Sequence, residues 1–560
     1  MKWFLLFFCA IINEPIFAQS APTWAWARAG VNSAISSTVC VTTDKDHNVF
    51  SAGNFTGSIA FGANTYNSQG TQNIYITKHD NDGNLLWSKA ILGPGKYIVH
   101  NIVCDHNGDL CIGVTYASDT PVANVANQHI LIFKYNRTGQ LVWSKWYGSS
   151  YDDYITGLAV DSKNNYVLAG IFFNIGSSPA LIDSIRLDNI VLKSKGNGDI
   201  FLAKMDSSGT IFWAKDIGSN GNDYVNALSV LPNDEIAITG TFENRLKIDS
   251  LPQLLSISTG FVSSSCFVAK FDSTGIALWD FAIGGRNPST GSTPGIISCD
   301  LISSDPLGEI VVGGRYSDCD LRIQNRLIPP NDYYGGPDNL WYAKLNTNGI
   351  LQWINHVGGN WSAHLGSLQM NSKNDIYIVG NCGDATVFGT DTLFTSQTGS
   401  ILFIGKYDEL GNLKWLKANY TDKGSGASGI AINQIGEILV SGGFGDSLVA
   451  FDQSVVRNRA QSNGFIAKLK IEGVGINQIS KSDFELFPNP AKSTINLRFN
   501  ENQQFNSYRL YNSLSQIIAS GKFNTTLEQS IFLPTLSDGI YYLNMKGRNG
   551  NVTRKIWVKK

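Results

Sequence analysis

Ala203-Lys204-Met205-Asp206-Ser207-Ser208-Gly209-Thr210-Ile211-Phe212-Trp213 decides how this chain is read. An apolar run ends in a lysine, a four-residue turn follows, and a second apolar run carries a tryptophan four residues past the glycine. Asp at the turn start can bond its own backbone two residues on, and Gly takes a positive φ cheaply. The same phrase opens at Lys78, Lys134, Lys204, Lys270, Lys344 and Lys406, and its tryptophans are Trp87, Trp143, Trp213, Trp279, Trp353 and Trp415. A seventh, looser copy runs from Lys468 to Gly473 with no tryptophan after it. At the other end Trp26 stands in Trp26-Ala27-Arg28-Ala29-Gly30 with no phrase before it. The orphan and the gap fit each other. A repeat of fixed period dictates architecture ahead of local propensity.

The unit containing Trp213 reads as four short strands: Ile155–Val160, Tyr166–Gly170, Ile200–Met205 and Thr210–Lys215. They are β-branched or aromatic runs bounded by Asp, Asn, Ser and Gly, and no segment shows a helical period. Four strands in each of seven units predict an all-β fold, a seven-bladed β-propeller. Its last blade would be completed by the strand holding Trp26, which leaves no open sheet edge. Spacing between tryptophans varies from 56 to 74 residues. The variation falls in the loops joining strand two to three and strand four to the next unit, which emerge on one face. That face is therefore individual and the opposite one uniform. Identical placement makes the seven lysines structural, each stem packed along its hairpin with the ammonium in water. The tryptophans are read as inter-blade packing.

The unit resembles the bacterial β-propeller repeat proteins that carry a lysine, apolar, Asp, x, x, Gly, then Trp signature, and the resemblance spans Ala21 to Gly475. Quinoprotein dehydrogenase repeats share the docked tryptophan, but with a longer Asp-to-Gly spacing. Sialidase Asp boxes place the aromatic closer to the glycine. Both departures count against those enzymes.

Residues 1–18 carry one positive charge, Lys2, an apolar core from Trp3 to Ile12, and Ile16-Phe17-Ala18 before Gln19. This is the pattern of a secretory signal peptide cleaved after Ala18. The apolar run is too short to span a bilayer, and Phe8 before Cys9 argues against a lipoprotein. No other segment is a transmembrane candidate, so a soluble exported chain is expected.

The propeller would occupy 19–473 and a linker 474–482. A different module fills 483–560, with alternating strands such as Ile495-Asn496-Leu497-Arg498-Phe499 and a tight Asn549-Gly550 hairpin. Period-two alternation over six or seven strands predicts a small Ig-like β-sandwich. Its phrases Pro488-Asn489-Pro490, Tyr511-Asn512 and Asp538-Gly539-Ile540-Tyr541, then a basic last strand ending Lys559-Lys560, resemble the type A sorting domain of the type IX secretion system of Bacteroidetes. The resemblance implies a sorting signal on Pro488, Asn489, Pro490, Gly539, Tyr541, Lys559 and Lys560. It also implies an outer-membrane translocon and a sortase-like peptidase as partners, and delivery to the outer cell surface or the medium.

At 560 residues and 43% apolar content the chain should hold more than one domain. A net charge of −2 with 16% charged residues excludes an electrostatic nucleic-acid binder. Removing Cys9 leaves seven cysteines, an odd number. Cys104 and Cys111 could lie across a hairpin, as a disulfide or, on the preferred reading, as two buried thiols. Asp44 to Asn48 and Asp80 to Asn84 look like fragments of calcium loops, but neither continues as one, and turn chemistry explains both. The seven histidines form no zinc pattern, and there is no Gly-x-Ser-x-Gly or Walker loop. No catalytic, metal or cofactor residue is assigned.

What remains is the individual face, where Arg286, Tyr333, Tyr334 and Trp361 suit recognition of a glycan or protein, aromatics and arginine being enriched in binding hot spots. The expected role is non-catalytic binding outside the cell. The rival is a propeller enzyme such as a polysaccharide lyase or glycosidase, to which Asp152, Asp153 and Asp223 could contribute. Asp153 and Asp223 stand at equivalent places, which favours a structural role. Fold alone cannot choose.

Overall fold

The computed structural model describes residues 21–119, 128–174, 184–258, 264–286, 295–329, 339–358, 363–383, 385–389, 391–393, 400–419, 424–445, 448–452, 454–458, 460–470, 484–499, 505–512, 517–524, 526, 528–547 and 550–559. The signal-peptide segment 1–18, the linker 474–482, Asn549 and Lys560 lie outside them. Among the described residues there is no α-helix, only the short 3-10 turn Pro232–Asp234. The chain divides into two compact units, 1–470 and 471–560.

In the first unit each repeat folds as an antiparallel four-stranded sheet. The third consists of Asp153–Val160, Tyr166–Phe173, Gly198–Met205 and Ile211–Ile217, paired in that order. Six further sheets carry the same four-strand core, with first strands Ser36–Thr43, Lys96–Cys104, Asp223–Val230, Leu301–Ser304, His364–Met370 and Ser425–Ile432, and those beginning at Asp223 and Leu301 run on into hairpin strands of the next repeat. These first strands touch one another in cyclic order, the last returning to Ser36–Thr43. The result is a β-propeller. The outer strand of the seventh sheet is Trp24–Ala29, which lies antiparallel to Asn463–Leu469 with Trp26 opposite Lys468. The core is correspondingly divided into clusters between neighbouring sheets rather than gathered at one centre.

The seven lysines correct the expectation drawn from sequence. Their ammonium groups are not in water: the side chains are buried, with relative exposures from 4% to 9%. Each Nζ is paired with an acid of the turn joining strands one and two of its own sheet. The pairs are Lys78–Asp44 at 3.0 Å, Lys134–Asp105 at 3.2 Å, Lys204–Asp161 at 2.8 Å and Lys270–Glu235 at 2.7 Å. Lys344–Glu309, Lys406–Asp375 and Lys468–Glu437 complete the set. A buried cation needs such a partner.

The lysine and the tryptophan then act together across the sheet boundary. Lys78 Nζ and Trp87 Nε1 both donate to Arg137 O of the next sheet. Lys134 and Trp143 share Ser207 O, and Lys270 and Trp279 share Thr347 O. Lys468 and Trp26 share Asn81 O in the first sheet. Each accepting turn also lends its glycine as a floor for the ring. A Cβ on Gly139 would stand 3.0 Å from Trp87, and φ there is +79°. Both facts require glycine.

The individual face is more regular than its loop lengths suggest. Between strands two and three lies a recurring small hairpin: Ser58–Phe61 with Asn64–Asn67, Ser184–Leu187 with Ile190–Lys193, and Leu448–Phe451 with Ser454–Arg457. Its first strand pairs with the run-on of strand four of the preceding sheet, as Val31–Asn32 does with Ile59 and Ala60 and as Ile283–Arg286 does with Asp320–Ile323. Further lysines add ion pairs there: Lys145–Asp188 at 3.6 Å, Lys215–Asp249 at 2.5 Å and Lys417–Asp452 at 3.5 Å.

The second unit is a body of two sheets, Phe484–Phe487, Thr494–Phe499 and Glu528–Phe532 in one, and Ile517–Lys522, Phe505–Tyr511, Gly539–Gly547 and Gly550–Val558 in the other. Ile495, Leu497, Leu510, Leu543, Ile556 and Val558 form its core.

Candidate functional site

Arg286 ends the strand Ala277–Arg286, is exposed, and lies opposite Asp320. Tyr333, Tyr334 and Trp361 fall outside the described residues. Asp153 and Asp223 are fully buried at the starts of their strands. Each accepts a backbone N–H four residues upstream, from Ser149 at 2.5 Å and Ser219 at 2.7 Å, so both cap a loop. Asp44 and Asp80 accept from the backbone of their own turns, at Asp46 and Asn48 and at Asp82 and Asn84. The cysteines at 104 and 111 are free thiols. Among the described residues no three His, Cys, Asp or Glu side chains group to hold a metal ion.

The second sheet carries a surface that sequence reasoning missed. At the end of that sheet on the individual face, one aromatic from each strand stands in a row: Tyr97, Tyr116, His129 and Trp146. Tyr116 is the register partner of both Tyr97 and His129. Ring centroids are 4.9 Å apart for Tyr97–Tyr116, 5.5 Å for Tyr116–Trp146 and 5.0 Å for His129–Trp146. Tyr97 and Tyr116 also pack on the core between the first two sheets, which fixes the inner end of the row. Trp146, on the outer strand, is 55% exposed. A large aromatic left half in water, with its neighbours packed at a tilt against it, is the informative kind of exposure.

Polar groups flank the row. Gln128 Nε2 donates to Tyr154 Oη at 2.8 Å, and Tyr154 Oη donates to Asp152 Oδ2 at 3.5 Å. Burial lowers the His129 pKa, with Asp152 pulling the other way. Burial and then Asp152 push Tyr154 up to about 12. At neutral pH the flank therefore offers a neutral imidazole and a phenol, beside the Gln128 amide and the Asp152 side chain. Such a surface can stack an apolar face and exchange hydrogen bonds at its edge. The signal lay in sequence as Tyr97, Tyr116, His129 and Trp146, but in four separate strands.

In the second unit the residues of the expected sorting signal gather at one end. Asn489 Oδ1 accepts from Trp557 N at 2.7 Å, Ala491 N donates to Trp557 O at 2.7 Å, and Lys559 N donates to Ala491 O at 3.0 Å. The Pro488-Asn489-Pro490 segment thus covers the edge of the last strand. Gly539 lies opposite Val558, and buried Tyr541 donates its hydroxyl to Ser537 O.

Residues 485–559 match the secretion system C-terminal sorting domain. The tail is an export address. It indicates passage through the type IX secretion system to the cell surface or the extracellular space. No helix of the described residues is long and apolar enough to cross a membrane.

The chain is 22% identical to an uncharacterized WD repeat-containing protein of Acanthamoeba polyphaga mimivirus, over 82% of this chain and 39% of that one. It therefore spans well under half the length of that relative. Among solved structures, a protein of unknown function from Dyadobacter fermentans aligns with 66% of this chain and 95% of its own, at 11% identity and a TM-score of 0.36. The polysaccharide lyase Uly1 aligns with 79% of this chain and 90% of its own, at 10% identity and a TM-score of 0.39.

Proposed function

We propose that the exported propeller is a non-catalytic binding module whose ligand, a glycan or a protein, seats on the aromatic row of the second sheet. The single observation that carries this reading is Trp146, exposed to 55% yet held by His129 and Tyr116. Rigid aromatics dominate binding energy where they are presented in this way, and loops on a rigid scaffold are the usual seat of function. Arg286, Tyr333, Tyr334 and Trp361 remain proposed ligand contacts in this reading. In this reading Ala18 precedes the mature chain, residues 19–473 form the body, and a sortase-like peptidase cuts around Ile471 to Ser482.

A glycan array and a pull-down with the full chain, wild type beside Trp146→Ala, test the proposal. Binding that falls at least about tenfold in the variant, the loss of one hot-spot aromatic, supports it. Undiminished binding, or a ligand captured equally by both, overturns it. Each of the two ring contacts of Trp146 contributes about 0.5–1.5 kcal/mol beyond area burial, so a thermal midpoint measured on both proteins reads folding apart from binding.

A second reading, a lyase or glycosidase, has one observation in its favour: His129, neutral at pH 7, lies within electrostatic range of Asp152, which accepts a hydrogen bond from Tyr154. Turnover in a polysaccharide-cleavage panel that disappears in His129→Ala would select it. Tyr154, pushed up to about 12, could serve such an enzyme as an acid but not as a base.

A further inference from the structure

The repeat places an asparagine five residues before the lysine in three sheets, at Asn73, Asn339 and Asn463. Two of them show what the position does. Asn73 Oδ1 accepts from Gln69 N at 2.8 Å and its Nδ2 donates to Gly93 O at 3.0 Å. Asn463 Nδ2 donates to Gly30 O at 2.8 Å. One amide thus ties the loop before strand three to the run-on after strand four. In the third sheet the same register holds Asp199.

Asp199 keeps the accepting half of this arrangement. Its Oδ2 takes Ser194 Oγ at 2.6 Å, Lys195 N at 2.7 Å and Gly196 N at 3.0 Å. Its Oδ1 faces Gly218, so closely that a Cβ there would lie 1.8 Å from it, and this oxygen has no hydrogen-bond partner. Gly218 is five residues past Trp213, as Gly30 and Gly93 are four and six past theirs. Where asparagine presents an N–H, an ionised aspartate presents a lone pair to a site built for a donor. Only a protonated carboxyl restores the match.

A second acid adjoins it. Ser219 N donates to Asp223 Oδ2, and Asp223 Oδ1 is buried without a hydrogen-bond partner. Asp199 and Asp223 are both fully buried, and they meet adjacent residues of the chain, Asp199 Oδ1 packing against Gly218 and Asp223 Oδ2 accepting from Ser219 N. Asp199 acts electrostatically on Asp223; two buried carboxylates that interact repel, and one proton held by the pair relieves this. The other charged groups here offer little relief. Lys195 faces Asp199 but pairs with Asp216 at 2.5 Å, Glu243 faces Asp223 with the same sign, and Asp153 lies on the far side of Phe172.

We propose that Asp199 and Asp223 share a proton and act as a pH-dependent latch between the third and fourth sheets, closed while the proton is held and loosened once both are ionised. Burial pushes Asp199 up, and burial together with Asp199 and Glu243 pushes Asp223 up to about 7. The native state then binds more protons than the unfolded one between the ordinary value of 3.8 and about 7. Stability from the latch is therefore full at the acid end of that window and falls as pH rises through it. The loops it holds, 194–199 and 218–223, lie on the individual face, so an exported body would loosen there as its surroundings pass from acid to neutral.

Hydrogen–deuterium exchange on the full chain tests the latch. Corrected for intrinsic rate, protection of the Lys195, Gly196 and Ser219 amides should fall at least about tenfold between pH 5 and pH 8. In Asp199→Asn, which installs the amide used elsewhere in the ring, protection of the Lys195 and Gly196 amides should stay flat. PH-independent protection in the wild type, or an unchanged pH dependence in the variant, overturns the proposal. Should Asp199→Asn fail to fold, the wild type alone decides. A carboxylic-acid infrared band that persists at pH 6 and vanishes by pH 8 supports the shared proton, and no such band at pH 6 overturns it.

Discussion

Lys204 shows what one residue of the repeat does. Its ammonium sits 2.8 Å from Asp161 in a place with almost no water, and donates onward to Ser273 O of the next sheet. Lys204→Met should destabilise the chain by about 3–5 kcal/mol, because it strands the Asp161 charge. Adding Asp161→Asn should recover much of that loss, as read from denaturant midpoints of the three variants. Burial alone would raise Asp44 and Asp161, but hydrogen bonds from Lys78 and Asn48, and from Lys204 and Asn165, outweigh it and hold both below their ordinary value of 3.8. Their stabilisation is therefore present above 3.8 and lost as pH falls below it. Thermal midpoints taken from pH 6 down to pH 2.5 should drop most steeply in that last stretch. The lysines were legible in the sequence, but their partners were not. The acid opens its turn in the first three sheets, at Asp44, Asp105 and Asp161, and closes it in the rest, at Glu235, Glu309, Asp375 and Glu437. That exchange of position hides a constant ion pair from any search for a fixed spacing.

At the scale of elements, the hairpin of strands three and four is both a blade edge and a socket for its neighbour. Gly139→Ala should cost about 1–3 kcal/mol through a forced positive φ, on top of the clash with Trp87, and a lowered thermal midpoint would register it. The strands of the third repeat were legible to within two or three residues, because apolar runs and Asp or Gly turns mark them. The hairpins inside the longer loops were not. Their mark is apolar, any, apolar, then a residue at positive φ, as in Ile185-Arg186-Leu187-Asp188 and Leu321-Arg322-Ile323-Gln324. Asp188, Asp249, Gln324 and Asp452 fill the last place without glycine, and each caps strand four of its own sheet. A turn search keyed to glycine passes over them. The aromatic row was missed for a different reason. It runs across four strands, and register between strands is not written in the spacing along one of them.

For the whole molecule, two addresses are combined in one chain: a body that presents a surface and a tail that directs it outward. Deleting 485–559 should leave the first unit folded, since 1–470 is a compact unit by itself, yet abolish export, as cell fractionation would report. The tail was legible because its phrases keep their order, whereas the body's ligand was not, since the repeat records packing and not recognition. The ring itself depends on its first strand. Trp26 and Lys468 close it with the same shared carbonyl, Asn81 O, that joins the sheets elsewhere. Native-state hydrogen exchange of the segment 24–29 tests this most directly. The account predicts slow exchange for its amides, matching those of Asn463–Leu469, while exchange at the rate of an unfolded peptide would contradict it.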